Sequence, residues 1–229
     1  MNPQSSIRNP QSLKAVVFDL DGLMFNTEEL YIDVGTELLR RRGKTFGKEL
    51  LDKMMGRPSA IALQFMIDEH ALTATVKELL AETDEIFPDI LRTRLMPMPG
   101  LLELLDALER HNISKAIATS SRRLFVDRVL TPFGFHSRFA FILTSEDIVH
   151  GKPHPEIYLK AAAQHGVAPQ QMLVLEDSQN GLRAAVAAGA IAVAVPGDHS
   201  RSHDFTGAAL VADSLLDARL YALLGIRSL

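Results

Sequence analysis

Short apolar segments that alternate with helical stretches constrain the fold of this chain more than any other feature. Their consecutive apolar positions are typical of strands buried on both faces of a parallel sheet. The alternation predicts an α/β fold with a doubly wound, Rossmann-like parallel sheet. The predicted strands are Ala15–Phe18, Ser114–Ala118, Phe141–Leu143, Met172–Leu175 and Ile191–Val195. The predicted helices are Gly100–Arg110, Arg122–Phe133, Pro155–His165, Ser178–Ala188 and Leu215–Leu224.

The interval between the first two predicted strands is too long for an ordinary crossover connection. Residues 26–96 contain no strand pattern, only segments with an apolar and a polar face at helical spacing. We therefore expect a small helical domain at 26–96, inserted into a Rossmann-like core formed by residues 13–25 and 97–229. Residues 1–12 are polar and are expected to form a flexible tail.

Composition excludes several classes of protein. The chain has 229 residues and a formal net charge of −4 without a basic stripe, which argues against a nucleic-acid binder. It has no cysteine, so it has no disulfide framework and no thiolate that could act as a nucleophile or bind a metal. No apolar run approaches the roughly 18 residues that a bilayer span needs, and the first residues do not resemble a signal peptide. We expect a cytoplasmic protein that does not bind membranes.

Acidic side chains follow two of the predicted strands. Asp19 and Asp21 end the first strand, and Glu176 and Asp177 end the fourth. In an open parallel sheet, ligands bind beyond the carboxyl ends of the strands, so these groups converge if the strands are neighbours. Four carboxylates cannot all stay ionised together, because their pKa values would rise. A divalent cation removes this difficulty, and a ligand set without Cys or clustered His favours Mg²⁺.

Hydroxyl groups and one lysine complete the same edge of the sheet. Thr119, Ser120 and Ser121 follow the second strand, and Lys152 lies in the loop after the third. Hydroxyls, amides and an ammonium group suit an anion with several oxygens, beside a helix N-terminus. A cation next to an oxyanion site is a layout for phosphoryl transfer. Asp19 is then the candidate nucleophile and Asp21 the candidate acid and base.

Each of these features also has an ordinary structural interpretation. An isolated Asp-x-Asp-Gly is typical of a solvated strand end, and residues 176–177 suit the N-terminus of a helix capped by Ser178. Arg57 either contacts substrate oxygens or is a surface arginine at a helix start. Two histidine pairs, 150 with 154 and 199 with 203, suggest zinc, but neither lies on a clear helix. We therefore do not expect a zinc site.

Four segments occur together in the order of a known set of motifs: FDLDG, ATSS, GKPHPEIY and LVLEDSQNG. With them, the chain from Lys14 onward resembles the haloacid dehalogenase superfamily. The helical insert after the first motif is similar to that of its sugar-phosphate phosphatases and β-phosphoglucomutases. The resemblance implies an Mg²⁺-dependent phosphatase that acts on a small phosphomonoester, a sugar phosphate in particular, while phosphoglycolate and a nucleotide monophosphate fit the core motifs equally well. It also implies that the insert is a cap that closes over the substrate.

The resemblance also implies roles for individual residues. Asp19 would be the nucleophile that forms an aspartyl-phosphate, and Asp21 the acid and base. The implied phosphate-binding residues are Thr119, Ser120 and Lys152, and the implied Mg²⁺ ligands are Asp19, Asp21 through its carbonyl, Glu176 and Asp177.

Two positions depart from the family pattern. Asn26 stands where the family usually has Asp at the hinge into the cap, and we expect the hinge to keep its function. Tyr31 stands where the mutases carry a His, which favours hydrolysis over mutase activity.

Asp21 argues against dehalogenase chemistry, because dehalogenases of the superfamily lack this residue. A mutase and a non-catalytic phosphate sensor stay open as alternatives, and we expect a monomer.

Overall fold

The computed structural model describes residues 13–54 and 59–226. Arg57 and the predicted tail at 1–12 lie outside these described ranges. The chain divides into two compact units. One consists of Phe25–Met96, and the other joins the residues up to Met24 to those from Pro97 onward.

The larger unit is built on a parallel sheet of six strands, which confirms the predicted α/β class. The strands are β1 (Ala15–Phe18), β2 (Ser114–Ala118), β3 (Ile142–Leu143), β4 (Met172–Glu176), β5 (Ile191–Ala194) and β6 (Leu210–Val211). Their order across the sheet is β3-β2-β1-β4-β5-β6. Val17 of β1 is in register with Ala116 of β2 on one side and Val174 of β4 on the other. The carboxyl ends of β1, β2 and β4 therefore meet at one edge.

Apolar side chains cover both faces of the central strands, which explains the continuous apolar sequence of β1 and β4. Both strands are buried along their whole length. Ala15 and Val17 contribute to a core cluster with residues of the two helices that follow β3 and β4, whereas Val16 and Phe18 project to the opposite face. Over its described residues, the α-helices of this unit are α5 (Leu101–Arg110), α6 (Arg123–Leu130), α7 (Glu156–His165), α8 (Gln179–Ala187) and α9 (Ala218–Leu224).

Three elements differ from the sequence-based expectation by more than one residue at either end. Strand β6 was not predicted, because two residues are too short for any alternation of polarity. The helix predicted to continue to Phe133 ends at Leu130 and passes into a 3-10 turn at Thr131–Phe133, where Pro132 removes a backbone donor. The last helix begins at Ala218 rather than at residue 215, because the Asp217 carboxylate accepts from the Arg219 N–H and caps it.

The smaller unit is helical over its described residues, as the sequence predicts. Its helices are α1 (Thr27–Arg40), α2 (Lys48–Met54), α3 (Ser59–His70) and α4 (Val76–Arg94). Helices α1 and α4 pack together and bury Leu30, Leu38 and Phe87, among others. Within the described ranges, no helix is both long enough and apolar enough to cross a membrane.

Asn26 joins the two chain segments at the ends of the smaller unit. Its backbone N–H donates to the Met96 carbonyl (3.2 Å), and its Oδ1 accepts from the Met96 N–H (2.8 Å). Its Nδ2 donates to the Arg94 carbonyl (3.2 Å). An aspartate lacks that side-chain donor, so asparagine suits this position through its amide.

We predict that Gly100→Ala destabilises the fold far more than Gly134→Ala. Both glycines have positive φ angles (88° and 66°), which cost alanine about 1–2 kcal/mol. A Cβ at Gly100 would also lie 2.9 Å from the backbone nitrogen of Leu216, whereas at Gly134 it would meet nothing within 4 Å. Urea unfolding should give losses near 1 kcal/mol for Gly134→Ala and about 3 kcal/mol or more for Gly100→Ala. Equal losses would contradict the packing at Gly100.

Candidate active site

The predicted site residues meet at the carboxyl ends of three neighbouring strands. Asp19 follows β1, Thr119 follows β2, Glu176 ends β4 and Asp177 comes directly after it. All four are buried. The order of the strands brings together residues that lie up to about 160 positions apart in sequence.

Lys152 is held by three oxygen acceptors. Its Nζ donates to Asp19 Oδ1 (2.5 Å), to Glu176 Oε1 (2.6 Å) and to the carbonyl of Ala118 (3.0 Å). Only 6% of its side chain is exposed. An ammonium group has three donors, so this geometry uses all of them. Although burial alone would lower the pKa of Lys152, Asp19 and Glu176 hold it well above its ordinary value.

Three carboxylates surround this single ammonium group. Asp19, Glu176 and Asp177 each offer an oxygen, and the three oxygens lie within 4.8 Å of one another. Burial raises the pKa of Asp19 well above its ordinary value, and Glu176 and Asp177 raise it further against the opposing effect of Lys152. Burial and the neighbouring Glu176 likewise raise the pKa of Asp177. Negative charge is thus in excess, and this all-oxygen donor set fits a divalent cation such as Mg²⁺.

Glu176 is fixed through both of its oxygens. Besides Lys152, Oε1 accepts a hydrogen bond from the hydroxyl of the fully buried Tyr158, and Oε2 accepts from Ser178 Oγ (3.2 Å). Ser178 also caps α8 by accepting from the Gly181 N–H (3.1 Å), so the capping interpretation is correct alongside any other role. A Cβ at Gly181 would lie 1.9 Å from the Glu176 carboxyl group, so this close approach requires glycine.

Asp21 faces the hydroxyl groups after β2. Its Oδ2 accepts from Ser121 Oγ (2.6 Å) and from Thr119 Oγ1 (3.3 Å). The Ser121 amide, which the sequence suggested for an anion, instead donates to Thr119 Oγ1 (3.0 Å). Ser120 is exposed beside them, and the phosphate-binding roles of Thr119 and Ser120 stay predictions.

Two residues contact the cluster formed by Asp19, Glu176 and Asp177 although the sequence did not predict these contacts. Tyr158 lies on the apolar face of α7 and has the pattern of an ordinary core residue. His199 follows β5, and its Nε2 lies 2.7 Å from Asp177 Oδ2. The spacing of His199 and His203 suggested only a metal pair. In the structure, His203 instead lies beside the α8 N-terminus, where its Nδ1 accepts from the Gln179 N–H (3.4 Å).

Comparison with known proteins gives a family match over most of the chain. The sequence model of the haloacid dehalogenase-like hydrolases matches residues 16–195. A bifunctional riboflavin kinase/FMN phosphatase of Arabidopsis thaliana is 32% identical over 222 residues, which are 96% of this chain, and this chain spans 58% of that relative. A phosphorylated carbohydrates phosphatase of Thermotoga maritima is 29% identical over 181 residues, or 77% of this chain and 82% of the relative.

A solved structure has the same fold. The crystal structure of CbbY from Rhodobacter sphaeroides, in complex with phosphate, superimposes with a TM-score of 0.74. It is 27% identical and covers 89% of this chain and 95% of its own.

We predict that Asp177→Asn stabilises the metal-free protein at pH 8 and much less at pH 5. The raised pKa of Asp177 means that its ionisation disfavours the folded state, so the loss of stability begins as pH rises above the ordinary pKa of the carboxyl and reaches its full size above the folded pKa. Asparagine carries no charge at either pH. Urea unfolding in EDTA should show a gain on the order of 1 kcal/mol at pH 8. A gain that is independent of pH, or a loss at pH 8, would contradict the excess of negative charge.

Proposed function

The chain belongs to the haloacid dehalogenase-like hydrolase family, and on that premise we propose that it is an Mg²⁺-dependent phosphatase acting through a phosphorylated Asp19. The observation that carries the proposal is the contact of Asp19 with Lys152 inside a cluster of buried carboxylates. The carboxyl group of Asp21 accepts hydrogen bonds from the hydroxyls of Thr119 and Ser121. The substrate proposed is a small phosphorylated metabolite, a sugar phosphate in particular. The Thermotoga relative, named for phosphorylated carbohydrates, supports this class.

The first half-reaction forms the phosphorylated enzyme. A carboxylate oxygen of Asp19 attacks phosphorus, and the bond from phosphorus to the oxygen of the leaving alcohol breaks. Asp21 gives its proton to that oxygen, so the alcohol departs neutral. Asp21 is suited to this step because Ser121 and Thr119 hold its Oδ2.

The second half-reaction releases phosphate. Asp21, now ionised, takes a proton from a water molecule as that water attacks the phosphorus of the aspartyl-phosphate. The bond between phosphorus and the Asp19 oxygen breaks, the Asp19 carboxylate is restored, and Asp21 is protonated for the next cycle. Lys152 stays beside Asp19 throughout and balances the negative charge of the phosphoryl group.

The acidic group supplies the proposed metal site. The carboxylates of Asp19, Glu176 and Asp177, with the carbonyl of Asp21, would hold Mg²⁺, because these buried oxygens carry excess negative charge. When bound, the cation would draw charge from the phosphoryl oxygens and let the substrate approach a negatively charged nucleophile. Thr119, Ser120 and Lys152 are the proposed phosphate-binding residues.

Residues of the smaller unit are proposed to select the substrate. We assign the Phe25–Met96 unit as the cap, with Arg57 as a proposed substrate contact. Tyr31, at the position where the mutases carry His, stacks on Phe87 with ring centroids 5.0 Å apart, which favours a packing role and plain hydrolysis over isomerisation. The proposed enzyme is a cytoplasmic monomer.

Phosphate release from a panel of phosphomonoesters tests this proposal. The panel contains hexose, pentose and glycolate phosphates together with FMN, each with Mg²⁺ and with EDTA. We expect release that requires Mg²⁺ and falls by at least about 10⁴-fold in Asp19→Asn, which keeps the shape of the side chain but removes the nucleophile. Metal-dependent turnover retained by Asp19→Asn would contradict the assignment. Isomerisation of a hexose phosphate without release would favour the mutase.

We further predict that the loss caused by Asp21→Asn depends on the leaving group. Asparagine cannot protonate the departing oxygen, which costs about 10²–10⁴-fold for an alkoxide. The p-nitrophenolate ion departs without a proton, so p-nitrophenyl phosphate should lose far less in a single-turnover measurement of its first half-reaction. Losses of equal size for p-nitrophenyl phosphate and the best sugar phosphate would argue against Asp21 as the acid.

A further inference from the structure

We propose that His199 is a positioning residue that orients Asp177 for the cation. This inference rests on the metal site of the proposed function and extends it to a residue beyond the four motifs. Its basis is a contact between the loop after β5 and the carboxylate after β4. His199 lies 22 positions beyond Asp177, in a segment without helical or strand periodicity.

The contact between His199 and Asp177 is short and largely shielded from water. His199 Nε2 lies 2.7 Å from Asp177 Oδ2. The side chains are 19% and 6% exposed. With the proton on Nε2, the imidazole donates and the carboxylate oxygen accepts. Because so little of either side chain is exposed, water has limited access to replace this donor if it is removed.

Two glycines make room for the imidazole ring. A Cβ at Gly22 would lie 2.6 Å from Asp177 Oδ2 and 2.9 Å from His199 Cε1. A Cβ at Gly197 would also lie 2.9 Å from His199 Cε1. The ring is therefore confined between the turn after Asp21 and its own loop. Such confinement fixes the direction of the N–H group, and with it the rotation of the Asp177 carboxylate.

A fixed rotation of Asp177 has a consequence for metal binding. Asp177 is one of three mutually repelling carboxylates, and loss of the His199 contact would leave the hydrogen bond from its own backbone N–H to oppose rotation away from the other two. A donor on Oδ2 stabilises the ionised carboxylate and leaves its remaining lone pairs for a cation. Outer-shell partners of this type typically change metal affinity by about 10–100-fold. The other two carboxylates contact Lys152, so His199 completes the set of donors around the group.

Mn²⁺ binding to variants of the full chain tests the inference. His199→Leu fills the space between the two glycines with an apolar side chain and removes the donor, whereas His199→Gln keeps an N–H donor. His203→Leu is the matched control, because this histidine lies on the same loop and contacts a backbone N–H instead of a carboxylate. Free Mn²⁺ is measured by electron paramagnetic resonance in the absence of substrate. We expect a Kd about tenfold or more above wild type for His199→Leu, partial recovery in His199→Gln and no change in His203→Leu.

The dependence of turnover on Mg²⁺ provides a second readout. His199→Leu should raise the Mg²⁺ concentration needed for half-maximal turnover, and saturating Mg²⁺ should restore most of kcat. An Mn²⁺ affinity of His199→Leu within twofold of wild type overturns the inference. Equal losses in the leucine, glutamine and His203 variants also overturn it, because they would indicate a general effect of the loop. If His199→Leu does not fold by circular dichroism, His199→Ala takes its place under the same criteria.

The proposed function and this inference can fail separately. Mn²⁺ binding that depends on His199 in a chain without phosphatase activity would support the inference and reject the function. Mg²⁺-dependent phosphatase activity with unchanged Mn²⁺ affinity in His199→Leu would support the function and reject the inference.

Discussion

Three buried carboxylates share a single buried lysine, and the rest of the site is arranged around this imbalance of charge. Removing ions from water costs several kcal/mol each unless partners compensate. Lys152 therefore bridges Asp19 and Glu176, while Tyr158 and Ser178 donate to Glu176 and leave the site still negative. The fold thus holds an excess of negative charge at this site, which a divalent cation can neutralise before an anionic substrate approaches.

The parallel sheet makes this concentration of charge possible. Because β1 lies between β2 and β4 in a parallel sheet, the residues that follow these three strands lie side by side at one edge of the sheet. Close packing then sets the details, as at Gly181, where α8 approaches the Glu176 carboxyl group so closely that no Cβ fits. Asp21, two residues beyond the nucleophile, is directed toward the hydroxyl groups of the β2 loop. This directs the carboxyl group of the proposed acid and base away from the metal, which Asp21 is proposed to contact only through its carbonyl.

Much of this arrangement could be predicted from the sequence, for a physical reason. Strands buried on both faces give continuous apolar runs, and Asp19, Thr119 and Asp177 lie at the ends of those runs, so a sheet-edge rule was enough to bring them together. Lys152 was assigned to the same edge because its loop follows the third strand. Local pattern could not reveal contacts made by residues of other elements. Tyr158 has the pattern of a core residue on α7, and His199 reaches Asp177 from a loop without periodicity. Strand β6 is too short to give a pattern at all.

Chemical trapping of the phosphorylated nucleophile tests the central claim most directly. The enzyme would be mixed with its best substrate and Mg²⁺, quenched in acid within one turnover, reduced with borohydride and digested for mass spectrometry. An acyl phosphate on Asp19 is reduced to the alcohol, so the account predicts homoserine at position 19 and unmodified aspartate at position 21. The account also predicts no reduction in samples without substrate. Unmodified Asp19 in a sample that has released phosphate during the same turnover, or homoserine at position 21, would contradict it.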